Sequence, residues 1–216
     1  MKKLKLAVFD VDGTLLKVVS SWKFFHERLG TWDKGKQYAE QFFRGAITYE
    51  EWARLDASLW RGSKLAAVRQ IVEGIPYTNG ARHAVTTLRR NGFKVVLLSA
   101  GLSLVTERIE REIKVDDSLA NELKVENGLL TGEVKVNVSF DNKDTALLRM
   151  LKRFNLGVDE CAAVGDDETM IPLFEKVNLS IAFNPRSRKV EEQANIVVKS
   201  SNLGEVLPYL LGEKKL

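Results

Sequence analysis

The sequence predicts an α/β fold: a doubly wound, mostly parallel, Rossmann-like sheet carrying an inserted helical unit. Three observations carry this reading. Short apolar runs recur at Leu6 to Phe9, Phe93 to Leu98, Cys161 to Val164, Leu179 to Phe183 and Ile196 to Val198, each bounded as a buried strand is. Helix-period stretches alternate with them at Ala81 to Arg90, Leu104 to Ile113, Thr145 to Phe154 and Leu203 to Leu211. One segment, residues 17–76, breaks the alternation with several amphipathic patterns and no strand pattern.

A chain of 216 residues, 44% hydrophobic, is long enough for one large domain or one domain with a sizeable insertion, and its composition excludes disorder and fibre. Lys and Arg number 33 against 29 Asp and Glu, a surplus of four without the stripes of a nucleic-acid binder. The densest early cluster, Lys2, Lys3 and Lys5, runs straight into the first strand. The single cysteine, Cys161, has no internal disulfide partner and sits among apolar neighbours, as a core residue does. The sequence shows no run of about 18 apolar residues and no signal-peptide pattern, so a cytoplasmic location with no membrane or nucleic-acid partner is expected.

The elements follow in order. Leu6-Ala-Val-Phe9 is the first strand, and it ends at Asp10. In residues 17–76, Trp22, Phe25 and Leu29 recur at helical spacing, as do Trp52, Leu55 and Leu59, and Thr48 with Glu51 makes a capping box. This stretch holds ten of the eighteen aromatics and all four tryptophans, as a small helical unit building its own core requires. The same rings also suit a pocket lining. Gly92 and Gly157 read as helix stops, and Leu123 to Val136 reads as a hairpin turning at Asn127-Gly128. The domain boundaries expected are 1–16 with 77–216 for the α/β core and 17–76 for the helical cap.

Asp10 and Asp12 stand two apart at the carboxyl end of the first strand, where an extended chain turns both to one face and where open α/β sheets bind ligands. Two ionised carboxylates at close range call for a cation or a shared proton, and hard oxygen donors favour Mg²⁺. Taken alone, the pair fits a polar turn equally well. Leu97-Leu98-Ser99-Ala100-Gly101 ends a second run in a hydroxyl and small residues, suited at a strand-to-helix junction to holding phosphate oxygens. Lys143 opens a helix, and Ala163-Val164-Gly165-Asp166-Asp167 ends a third strand in acids.

Together, Asp10, Asp12, Thr14, Ser99, Lys143 and Asp166 resemble the four ordered motifs of the haloacid dehalogenase superfamily of phosphotransferases, closest to its phosphoserine phosphatase-like branch. The resemblance spans essentially the whole chain. It implies Asp10 as the nucleophile that forms an aspartyl-phosphate and Asp12 as the general acid and base. It further implies phosphate contacts from Thr14, Ser99, Ala100, Gly101 and Lys143, and Mg²⁺ held by the Asp10 carboxylate, the Asp12 backbone carbonyl and Asp166, with Asp167 as a further acid for it. The implied activity is hydrolysis of a small phosphorylated metabolite; the alternatives are a phosphotransferase or phosphomutase of the same superfamily and a non-catalytic phosphate-binding homologue. The oligomeric state is not legible.

Two departures stand out. The branch ends its fourth motif in Asn-Asp, where this chain has Thr169-Met170, and a thioether is a poor acceptor for metal-bound water. Asp167 is the neighbouring acid able to compensate. Phosphoserine phosphatases also place a Glu after the first motif and an Arg on a cap helix; by register those positions are Val19 and Asp56 here, so phosphoserine is not the expected substrate. The two histidines, His26 and His83, are expected at the surface or its boundary. Residues 17–76 carry ten Lys and Arg against seven Asp and Glu, a possible local attraction for a small anion.

Overall fold

The structure is a computed structural model that describes residues 3–214; Lys2 of the early lysine cluster lies outside the described residues. Among the described residues, strand β1 (Leu6–Phe9) is followed by four helices, α1 (Ser21–Leu29), α2 (Trp32–Phe43), α3 (Tyr49–Ser58) and α4 (Leu65–Glu73). Then come α5 (Ala81–Arg90), β2 (Lys94–Leu102), α6 (Ser103–Ile113), the hairpin β3 (Asp117–Glu126) and β4 (Leu129–Lys135), and α7 (Lys143–Phe154). The chain closes with β5 (Cys161–Gly165), α8 (Ile171–Phe174), β6 (Leu179–Phe183), α9 (Arg188–Gln193), β7 (Ile196–Val198) and α10 (Leu207–Leu210). No helix of the described residues is long and apolar enough to cross a membrane.

The strands form one seven-stranded sheet in the order β4-β3-β2-β1-β5-β6-β7, parallel except for the β3–β4 hairpin. β1 lies between β2 and β5 and is wholly buried, which is why it reads as an unbroken apolar run. Its side chains alternate between two cores. Ala7 and Phe9 join Val95, Leu97, Ala162 and Val164 on one face, while Leu6 and Val8 join Val96, Leu98, Cys161 and Ala163 on the other. α5 covers the first face with Ala81, Ala84, Val85 and Leu88, and α7 covers the second with Ala146, Leu147, Met150 and Leu151.

The inserted helices do not build a core of their own. Trp22, Phe25, Trp60, Val68 and Val72 belong to the same apolar cluster as Phe9 and Leu97, so the unit is packed onto the sheet's first face rather than beside it. Truncating one of the buried rings would cost about 3–5 kcal/mol. The Thr48–Glu51 capping box is present at the start of α3. The face α3 buries is Tyr49, Ala53, Asp56 and Ala57 rather than the Trp52, Leu55, Leu59 stripe, whose members are half-exposed. At its far end the insertion is stitched to the hairpin: Gly62 N–H donates to Leu130 O (2.8 Å), Leu130 N–H to Ser63 O (2.9 Å) and Leu65 N–H to Gly128 O (2.9 Å).

Three local expectations are revised. The α7 stop is Asn155, in the left-handed region at φ 54°, and Gly157 instead precedes a single 3-10 turn. The last expected helix divides into a 3-10 turn, Leu203–Val206, and α10. His26 is buried rather than at the surface, whereas His83 is exposed. All ten Lys and Arg of residues 17–76 point to solvent, so their excess charge is a solvated face.

Candidate active site

The site forms beyond the carboxyl ends of β1, β2 and β5, where no further ladder partners hold the chain and side chains project off the sheet. β1 stops at Phe9. The Asp10 N–H donates to Val164 O on β5 (2.9 Å), and its Oδ1 accepts from the Val11 N–H (2.8 Å). Oδ2 of Asp10 accepts from Nζ of Lys143 at 2.9 Å, and that lysine, first residue of α7, is only 1% exposed. Burial pushes the Asp10 carboxyl up, and the Lys143 ammonium opposes the shift.

Asp10 and Asp12 meet by a different route from the extended-strand argument, because Val11 already lies in a turn. Gly13 carries the reversal at φ 77°, and a Cβ there would stand 2.1 Å from Oδ2 of Asp166, so only glycine lets the turn close against that acid. Oδ2 of Asp12 accepts from the Ser21 N–H at the start of α1 (2.6 Å), while its buried Oδ1 has no hydrogen-bond partner. Burial pushes Asp12 up to about 6, with Asp10 adding to the shift.

Asp166, at the end of β5, is pushed up to about 8, first by burial and then by the charges of Asp10 and Asp167. Thr14, expected among the phosphate contacts, is instead fully buried and donates its hydroxyl proton to Oδ1 of Asp166 (2.8 Å). Asp167 spends Oδ1 on the Thr169 N–H (3.0 Å) and hydroxyl (2.6 Å), capping the short 3-10 turn that follows. Met170 is buried, with its sulfur 3.5 Å from Nζ of Lys143.

The four acids are answered by one buried ammonium, Lys143. Among the described residues no three His, Cys or acidic side chains close into a cation cage unaided. The raised carboxyl of Asp166, the charges of Asp10 and Asp167 that raise it, and the all-oxygen donor set nevertheless fit a hard divalent cation such as Mg²⁺.

Ser99, Ala100 and Gly101 lie in the last four residues of β2, directly before α6 opens at Ser103, and the β2–β3 register shifts between Leu98 and Leu102, which disturbs the regular pairing here. Oγ of Ser99 accepts from the Gly101 N–H at 3.0 Å. A Cβ on Gly101 would lie 2.5 Å from Oγ of Ser21, 3.1 Å from Oγ of Ser99 and 3.2 Å from Oδ2 of Asp12, which locates the convergence of these groups.

Five residues here escape sequence reasoning. Ser21 faces Asp12. Trp22 Nε1 (3.0 Å), the Tyr49 hydroxyl (2.5 Å) and Asn121 Nδ2 (2.9 Å) all donate to the carbonyl oxygen of Ala100. Burial pushes the Tyr49 hydroxyl well up, so it stays a donor. Arg186 donates its N–H to Asp166 O (2.8 Å) and its guanidinium to Val19 O (3.2 Å), and stands 3.8 Å from Oδ2 of Asp167. The Ser20-Ser21 pair beside Trp22 is a capping signal, and Trp22 and Tyr49 are among the rings that suit a pocket lining; Asn121 and Arg186 carry no signal.

The two cap positions that depart from the branch part company. Val19 is 51% exposed, while Asp56 is 2% exposed and faces away into the insertion, its Oδ1 3.2 Å from Nε2 of His26 in ion-pair rather than hydrogen-bond geometry. Nδ1 of His26 shares a hydrogen bond with Oγ1 of Thr31 (2.7 Å), and its ring lies 4.7 Å from that of Trp60. Burial raises the Asp56 carboxyl, and His26 opposes the shift. The carboxyl at this position is therefore buried against a histidine and is not presented to a ligand. A groove of about 510 Å³ between α4, α6 and β3, lined by Leu65, Arg69, Leu104, Glu107 and Leu119 among others, includes none of Asp10, Asp12, Asp166 and Asp167.

Residues 7–175 match the family model described as haloacid dehalogenase-like hydrolase. The phosphoserine phosphatase of Methanocaldococcus jannaschii is 29% identical over 210 residues, covering 97% of this chain and 99% of that one. That of Lactococcus lactis subsp. lactis is 31% identical over 208 residues, covering 95% and 94%. A solved phospho-aspartyl intermediate analogue of phosphoserine phosphatase superposes with a TM-score of 0.83 at 28% identity, over 96% of this chain and 99% of that one.

Proposed function

The chain belongs to the haloacid dehalogenase-like hydrolase family, as a phosphoric monoester hydrolase of its phosphoserine phosphatase-like branch, and we propose that it uses Asp10 as nucleophile on a small phosphorylated metabolite other than phosphoserine. The observation that carries the reading is the buried Asp10–Lys143 contact of 2.9 Å with Asp12 and Asp166 gathered around it. In this reading residues 17–76 act as the cap over the site.

An Asp10 carboxylate oxygen attacks phosphorus while the ester P–O bond breaks, and Asp12 delivers a proton to the departing oxygen. Asp12, pushed up to about 6, takes up a proton more readily than an ordinary carboxyl, and its partnerless Oδ1 is the oxygen free to hold that proton. Water then attacks the aspartyl-phosphate as Asp12 takes its proton, the Asp10–phosphorus bond breaks, and inorganic phosphate leaves. Lys143 and the Ser99 hydroxyl bind the equatorial oxygens and offset their developing charge. Mg²⁺, held by the carboxylates of Asp10, Asp166 and Asp167 and by the backbone carbonyl of Asp12, would supply electrophilic charge against the phosphoryl dianion.

Against phosphoserine, neither the Glu nor the Arg that would meet its ammonium and carboxylate is carried over: Val19 stands at one position, and Asp56 at the other is committed to His26. Hydrolysis of an aryl phosphate with Mg²⁺, compared between wild type and Asp10→Asn, tests the nucleophile. Loss of turnover in the variant is expected, and undiminished turnover overturns the mechanism. Phosphoserine hydrolysed far faster than the aryl ester would overturn the substrate reading.

A further inference from the structure

We propose that Trp22, Tyr49 and Asn121 are positioning residues that act on Ser99 through a single peptide group, that of Ala100 and Gly101. The proposal rests on Ser99 contacting the phosphoryl group, as in the function proposed above.

A carbonyl oxygen has two lone pairs, and Ala100 O receives three donors, at 2.5, 2.9 and 3.0 Å. They come from three separate elements: Trp22 on α1, Tyr49 on α3 and Asn121 on β3. Asn121 is fully buried, and its Nδ2 also donates to the Tyr49 oxygen (2.9 Å), so the donors brace one another. The β2–β3 register shifts across this carbonyl, between Leu98 and Leu102.

A trans peptide is planar, so fixing the Ala100 carbonyl fixes the Gly101 N–H on the opposite edge. That N–H donates to Oγ of Ser99 at 3.0 Å. A serine oxygen accepting there turns its own proton elsewhere, which leaves the Ser99 hydroxyl free to donate to a phosphoryl oxygen. Two of the three donors belong to the inserted helices, so the seating of that unit sets the orientation of the Ser99 hydroxyl. The donor hole is preorganised only when the insertion is in place.

The test compares wild type, Tyr49→Phe and Ser99→Ala as full chains with Mg²⁺, by calorimetric titration with inorganic phosphate and by the amide-proton shift of Gly101 on adding phosphate. Tyr49→Phe keeps the ring and removes one donor. It is expected to weaken phosphate binding about fivefold to tenfold and to shrink the Gly101 shift, while Mg²⁺ affinity stays within about twofold. A merely structural role would lower the melting temperature and leave the Gly101 shift intact, and that result overturns the proposal. If Ser99→Ala leaves phosphate affinity unchanged, the underlying reading of the site fails instead. Should Tyr49→Phe not fold, Trp22→Phe removes a different donor from the same oxygen and carries the same expected and overturning outcomes.

Discussion

Nζ of Lys143 and Oδ2 of Asp10 stand 2.9 Å apart with both side chains withdrawn from solvent, joining the start of α7 to the end of β1 across 133 residues of chain. Neither charge is comfortable alone. Lys143→Met should cost about 3–5 kcal/mol in denaturant unfolding, because it leaves a buried carboxylate unanswered. Asp10→Asn combined with Lys143→Met should recover much of that loss. A double variant as unstable as Lys143→Met alone would show that the pair is not what holds this corner.

Cation binding should release protons. Asp12 and Asp166 are both raised above the ordinary 3.8, to about 6 and about 8. A raised acid favours the folded state below its unfolded value and withdraws that support as pH climbs through its folded value. The cation-free protein should therefore lose stability from about pH 4 to about pH 8, and Mg²⁺ should restore more of it at the upper end. Calorimetry at pH 7 in buffers of different ionisation enthalpy should show roughly one proton released per cation. Identical heats in every buffer would contradict this.

Gly13→Ala should abolish turnover while leaving a folded protein. The substitution meets a left-handed φ of 77° and Oδ2 of Asp166 at 2.1 Å. Backbone strain alone costs about 1–3 kcal/mol, and the displaced acid should weaken Mg²⁺ binding by at least about tenfold. Circular dichroism and metal titration separate the two effects.

His26→Ala should expose the cost of burying Asp56. Because burial already raises this carboxyl and His26 opposes the shift, removing the imidazole raises it further. Protonation then relieves the buried charge, so the loss in urea midpoint should be larger near pH 8 than near pH 4. Equal losses at both pH values would show that the packing against Trp60 matters more than the charge.

Thr48→Ala should cost about 1 kcal/mol by removing the Thr48 half of the capping box with Glu51. Since α3 begins at Tyr49, fraying its first turn should also raise the KM for an aryl phosphate more than the melting temperature shift implies.

What the sequence discloses is what short spacing controls. The buried strands, the Thr48–Glu51 box and the Asn127-Gly128 turn each depend on neighbours within a few residues, and all three are found. The candidate site is legible as far as its residues stand near element ends: Asp10 directly follows β1, Lys143 opens α7 and Asp166 directly follows β5. Pairings across long stretches were not: His26 with Asp56, Asn121 with Tyr49 and Arg186 with Val19 lie 30, 72 and 167 residues apart. Thr14 shows the limit within a motif, since only the turn at Gly13 decides that its hydroxyl reaches Asp166 and not the open site.

The middle position of β1, between β2 and β5, has a consequence for how the molecule is made. During synthesis β1 waits for β5, which begins about 150 residues later at Cys161, so the sheet's centre is a contact of high sequence separation. A nascent chain stopped before that point presents Leu6–Phe9 with one edge unpaired. Folding must therefore gather late and nearly at once, and Asp166 comes beside Asp10 in the same closing event that completes the sheet.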